Sequence, residues 1–253
     1  MDFGTMLDDA LACTKHGVFE NTGRWLELIL AILCLGIPMN GYVMRIYRGE
    51  HPAPEVDQWG SLFVDGLKLM IVGLIYTIPV FIIWAVVYGS MILMAFSADA
   101  GQTSSPMMSG WSPNIVLLLL MYIFEIVIGL IVPVASIRFA RTNRFSEAFN
   151  VGAIVEYIGK IGWINYIIAL ILVAVVIGIP ICILILGSIL IGGIVMYVFK
   201  IGTSAILVFF VALILIILTL APLFAVFQAR YFTKVYDSAS PEAKFFNCPD
   251  PGF

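Results

Sequence analysis

From Ile161 to Ala229 the chain carries a single charged side chain, Lys200. No water-soluble fold of this size hides so much apolar surface behind so few charges. A hydrocarbon core about 30 Å thick takes roughly 20 apolar residues per helix, so this stretch alone predicts two membrane spans. Across the chain 62% of residues are hydrophobic and 11% charged, where a soluble domain has about a quarter charged. The formal charge of −3 says little by itself. No basic face exists outside short loops, so no nucleic-acid partner is expected. Cys13, Cys34, Cys182 and Cys248 show no CxxC pair and no zinc spacing, and they read as free thiols. The acids Asp2, Asp8, Asp9 and Glu20 occupy the stretch where a secretory signal would be basic, so no cleaved leader is expected.

The pattern predicts an all-α integral membrane protein, a bundle of four to five transmembrane helices with amphipathic interfacial helices. Apolar segments cover about 25–44, 69–96, 115–137, 162–188 and 203–227, within one membrane domain over 1–235 and a tail over 236–253. Each segment holds one proline: Pro38, Pro79, Pro133, Pro180 and Pro222. Proline removes a backbone donor and crowds the preceding turn, so each predicts an ordinary kink or, alternatively, a hinge or broken-helix site. The first segment either spans once, with the N-terminus outside, or breaks at Gly36-Ile37-Pro38 into a shallow cytoplasmic hairpin. The loop 97–114 has no Lys or Arg, whereas Arg45, Arg48 and Lys68 precede it and Arg138, Arg141, Arg144 and Lys160 follow. That asymmetry predicts the loop outside, the C-terminus cytoplasmic, and Lys200 outside at a helix end.

Segments one, three and five end alike, with a proline followed by a cationic pair: Arg45 and Arg48, Arg138 and Arg141, Arg230 and Lys234. Cations at a helix C-terminus complement its dipole, and these are expected to contact lipid headgroups. Amphipathic stretches over about 3–18, 59–68 and 145–158 predict interfacial helices. In the second, Trp59, Leu62, Phe63 and Leu67 share a face that leaves Asp65 and Lys68 off it. Small residues recur at a spacing of four at Ala174, Gly178 and Cys182, and again at Ala221, Ala225 and Ala229. Both stripes predict close helix packing.

Here the sequence resembles a known family. The run Ile37-Pro38-Met39-Asn40-Gly41-Tyr42-Val43-Met44-Arg45, then Arg48-Gly49-Glu50, Pro54-Glu55, Asp57-Gln58-Trp59 and Leu62-Phe63-Val64-Asp65-Gly66-Leu67-Lys68, resembles the signature of an uncharacterised, mainly archaeal family of multi-pass membrane proteins. That family is catalogued as domain of unknown function four-zero-one-three. The resemblance covers about 5–235 and is carried by motif in its first third and by hydropathy after that. Its helix plan is similar to the membrane domain attached to some glycerophosphodiester phosphodiesterases. No phosphodiesterase domain is present in the sequence, so the resemblance implies a shared fold and no chemistry.

Glu125 is the one acid deep within an apolar span. It is expected either to bind a proton, cation or basic ligand, or to hydrogen-bond as a neutral acid to Tyr122, Tyr76, Asn165 or a freed carbonyl. The loop His51–Trp59 holds a histidine and two acids, and its prolines make it a stiff connector rather than a metal site. No nucleophile elbow, phosphate loop, redox pair or haem motif occurs, so no enzyme activity, cofactor or metal is expected. The expected role is an oligomeric or accessory membrane-organising protein of the plasma membrane. Its partners would be lipids and copies of itself or other membrane subunits. The alternative is a small transporter or channel working through Glu125.

Overall fold

A computed structural model describes residues 1–50, 54–97, 114–199 and 203–240, with side chains described except at 90–97, 194–199 and 203–210. Every described element is helical: α1 (Phe3–Thr14, continued by a π-helical turn), α2 (Thr22–Leu33), α3 (Ile37–Arg48), α4 (Trp59–Ser97), α5 (Ile115–Thr142), α6 (Val151–Ile161), α7 (Trp163–Phe199) and α8 (Thr203–Asp237). Starts follow from local chemistry. Asp2, Asn21, Asn114 and Asn150 each accept a bond from a first-turn N–H of α1, α2, α5 and α6. α3 and α5 end on left-handed residues, Gly49 and Asn143, whose N–H groups satisfy terminal carbonyls, while Gly162, with a positive φ, carries the chain from α6 into α7.

α4, α5, α7 and α8 are long and apolar enough to cross a membrane. The 39 residues of α4 extend about 58 Å at 1.5 Å per residue, nearly twice the hydrocarbon core. The stretch 59–68, expected as an interfacial helix, forms the first turns of this one long helix. Nothing between Lys68 and Leu69 interrupts the helix, so it runs on. Pro79, Pro133, Pro180 and Pro222 all lie inside continuous helices rather than at breaks. At two of them a neighbouring helix uses the disturbed backbone. Tyr166 donates to the Leu130 carbonyl at 2.7 Å, and the Trp25 indole donates to the Thr219 carbonyl at 2.9 Å.

The first apolar segment is broken in two. Leu35 and Gly36, both left-handed, split it into two 12-residue helices of about 18 Å each. α1 meets the C-terminal end of α8, where Asp9 pairs with Arg230. α3 ends at that same level, where Arg141 bonds the Tyr47 carbonyl and pairs with Asp237. The chain between therefore starts and finishes at one end of the bundle, as the helical hairpin α2–α3.

α3 runs antiparallel to the first turns of α4 at backbone contact. A Cβ at Gly41 would overlap the Leu62 carbonyl, and one at Gly66 would overlap the Ile37 carbonyl. The buried core gathers at this end of the bundle, around Tyr42, Met44, Leu62, Ile137, Phe139, Ile154, Ile158 and Tyr231. The other halves of the spans carry large exposed apolar residues such as Phe81, Ile82, Ile123, Ile183 and Leu186.

Candidate functional site

The six cations expected at lipid headgroups turn into the protein. Arg45 bonds the Asp57 carboxylate at 2.5 Å, the Glu55 carbonyl at 2.8 Å and Ser61 at 3.1 Å, fixing the loop that joins α3 to α4. Arg48 pairs with Asp65 at 2.6 Å and Arg138 with Glu147 at 2.6 Å. Arg48 also donates to the Ala140 carbonyl of α5, and Arg141 to the Tyr47 carbonyl of α3. Each guanidinium thus caps the last turn of the other's helix, where carbonyls lack intrahelical partners. Arg230 lies 2.9 Å and Lys234 3.4 Å from Asp9, with all three side chains at most 7% exposed. Each of the six thus has a carboxylate partner elsewhere in the chain. A cation in this buried end is stable only beside a carboxylate, and acids from other elements supply one. On the surface of α6, the Lys160 ammonium 2.9 Å away holds the Glu156 carboxyl below its usual range.

The small-residue stripes divide. Ala229 is buried, Ala221, Ala225 and Gly178 are half-buried, and Ala174 and Cys182 are exposed. Of the interfacial set, Leu62 is buried against α3, while Trp59, Phe63 and Leu67 are exposed. Cys34 and Cys182 are free, but Cys13 is disulfide-bonded, which corrects the reading of four free thiols. Its side chain is buried on the packed face of α1, a position that spacing in the sequence does not reveal. His51, the loop over 98–113, Lys200 and the tail beyond 240 lie outside the described residues. Among the described residues no three His, Cys, Asp or Glu group to hold a metal.

Ala174 and Gly178 border a cavity of about 590 Å³ between α4, α5, α7 and α8, together with Gly73, Thr77, Gly129 and Gln228. A second cavity of about 490 Å³ adjoins it towards the hairpin, lined by Asn40, Tyr47, Ser136, Ala225 and Ala229 among others. The two share Gly73, Thr77, Val132 and Gln228. Thr77 and Asn40 bond carbonyls of their own helices. The side chains of Ser136, Tyr47 and Gln228 make no hydrogen bond among the described residues, with Ser136 and Tyr47 largely buried and Gln228 exposed. None of these three was singled out from the sequence, although each is a polar residue close to or within an apolar run.

Glu125 is exposed, and among the described residues it has no hydrogen bond or ion pair. Its expected partners are engaged elsewhere or exposed: Tyr76 donates to the Ala148 carbonyl at 2.6 Å, while Tyr122 and Asn165 are exposed. At helical spacing Glu125 shares a face with Ile128, Gly129, Val132 and Ser136, all of which line the cavities. It sits one turn beyond the cavity, towards the N-terminus of α5.

Neither a curated protein nor a solved structure matches the chain. The family described as protein of unknown function (DUF4013) matches residues 26–192, from α2 through most of α7. With its motif-bearing hairpin and four apolar helices inside or beside that match, this membrane protein belongs to the DUF4013 family.

Proposed function

We propose that the protein is a non-enzymatic, membrane-organising or accessory protein whose spans associate with a second copy or with another membrane subunit. One observation carries the reading: the spans barely cover one another. In their most apolar stretches the buried share is 11%, 6%, 11% and 17% for α4, α5, α7 and α8. A helix facing its own bundle turns inward a stripe of about 100°, more than a quarter of its residues. Glu125 supports the same reading, since an acid at membrane depth is stable beside a polar partner and none stands beside it among the described residues.

Transport is a second reading, supported by the placement of Glu125 on the cavity-lining face of α5. One comparison separates the two. Wild type, Glu125→Gln and Glu125→Leu are weighed in mild detergent and assayed for proton or cation flux in vesicles. Association predicts an oligomer or co-purifying subunits that Gln retains and Leu weakens, because Gln keeps the hydrogen bond. A monomer in detergent that also fails to cross-link in native membranes would sink this reading. A well-assembled Gln variant that has lost flux gives the transport reading, because an amide cannot titrate.

The membrane is the plasma membrane in this proposal, with the ends of α3, α5 and α8 cytoplasmic and 97–114 outside. The Lys and Arg asymmetry supports it. In a background lacking native cysteines, Ser104→Cys should react with an impermeant thiol reagent on intact cells and Ser238→Cys should not. The reverse pattern overturns the orientation.

A further inference from the structure

We infer that the joined cavities beside Gly73 and Gln228 form a binding site for a single-chain, uncharged amphiphile entering from the bilayer, its hydrogen-bonding head at Ser136 and Gln228. The argument stands apart from whatever assembly the spans make.

Three observations converge on it. First, the space is built into the helices. Gly73, Gly129 and Gly178, on three different spans, border the larger cavity, and a Cβ at any of them would meet nothing within 4 Å. Helix-face glycines usually let neighbouring backbones close up, as Gly41 and Gly66 do here. These three leave room instead. Second, the inner end is polar and unsatisfied. Ser136 is 7% exposed and borders the smaller cavity with no hydrogen-bond partner among the described residues. The Gln228 amide, exposed and bordering both cavities, likewise makes no hydrogen bond among the described residues. A hydroxyl and a primary amide together offer donors and acceptors, the complement of an alcohol, ester or glycerol head. Third, among the described residues no charged side chain borders either cavity. A carboxylate, phosphate or ammonium head would enter without a counter-ion, which a low-dielectric site disfavours strongly. The volumes, about 590 and 490 Å³, fall within the roughly 300–1,000 Å³ of small-molecule sites, and the rest of the lining is apolar and suits a hydrocarbon chain.

The test uses the full chain in nanodiscs and oleyl alcohol carrying a chain diazirine, with labelled peptides identified by mass spectrometry. The expected result is saturable labelling of peptides holding Val132–Ser136 and Ala225–Ala229, displaced by monoolein. Gly73→Leu should abolish it by filling the space, and Gly178→Leu should do so from another helix. Ser136→Val combined with Gln228→Leu should weaken monoolein competition by roughly tenfold or more, the scale of a lost hydrogen bond. Labelling that rises linearly with probe, or that survives both leucine variants, overturns the site. Displacement by oleic acid or oleylamine in preference to monoolein overturns the uncharged head. Wild-type mass in detergent, read in parallel, reports on association separately.

Discussion

Gly66→Ala should lower stability by about 3 kcal/mol or more, the upper end of overpacking costs, and loosen the hairpin from α4. The added methyl meets the Ile37 carbonyl, a backbone atom that cannot swing aside as a side chain would. Gly41→Ala should behave alike from the opposite helix, against the Leu62 carbonyl. Gly73→Ala, on the same helix α4, is the internal control. Nothing lies within 4 Å of its new Cβ, so the substitution should be close to neutral or slightly favourable by helix propensity. Thermal unfolding in detergent, followed by helical signal and by protease access to α2–α3, reads the difference. Equal midpoints for Gly66→Ala and Gly73→Ala would refute the backbone contact.

Asp9→Leu should be comparably severe, at about 3–5 kcal/mol, the range for removing one partner of a buried ion pair. It removes the carboxylate that faces both Arg230 and Lys234 while leaving those two side chains, 4% and 6% exposed, within the core. The same principle predicts that replacing the whole group, Asp9→Leu with Arg230→Met and Lys234→Met, restores much of the loss, since apolar substitutes need no counter-charge. Limited proteolysis followed by reduction, which frees the Cys13 disulfide, should release α1 from the single variant and spare it in the triple. If the single variant unfolds no earlier than the triple, the buried group is not what holds α1 on α8.

The membrane class was legible in the sequence because apolar length is a direct physical requirement of lipid. Four helices long and apolar enough to cross a membrane cover the long segments that hydropathy marked, and the break near Gly36 was visible as one of two alternatives. What brings both ends of that broken segment to one end of the bundle is a set of contacts across the fold, between Asp9 and Arg230 and between Arg141 and Tyr47, which no local pattern contains. The partners of the cations were hidden for a related reason. Arg45 or Arg230 at a helix end looks the same whether it meets a lipid phosphate or a carboxylate from another helix. The continuity of α4 could have been read, since no breaker separates Lys68 from Leu69. Gly41 and Gly66 gave only a faint signal, because what matters there is an atom that is missing. In the candidate site, Glu125 was marked by its charge alone. The shared face of Glu125, Gly129, Val132 and Ser136 was present in the spacing. Gln228 fell just outside a segment drawn to end at Phe227, and the cavity it borders exists only once four helices have been placed.

The pairing of Asp9 with Arg230 spans 221 positions, and this sets an order in time. At synthesis rates of about 5–20 residues per second, roughly 11 to 44 seconds pass between making the acid and making its counter-ion. Throughout that interval α1 has no docking site, and the hairpin behind it lacks the α8 wall against which Trp25 bonds Thr219. The first helix translated is therefore among the last to settle. Any chain truncated before α8 would leave its opening acid, and the helix bearing it, without a place in the fold.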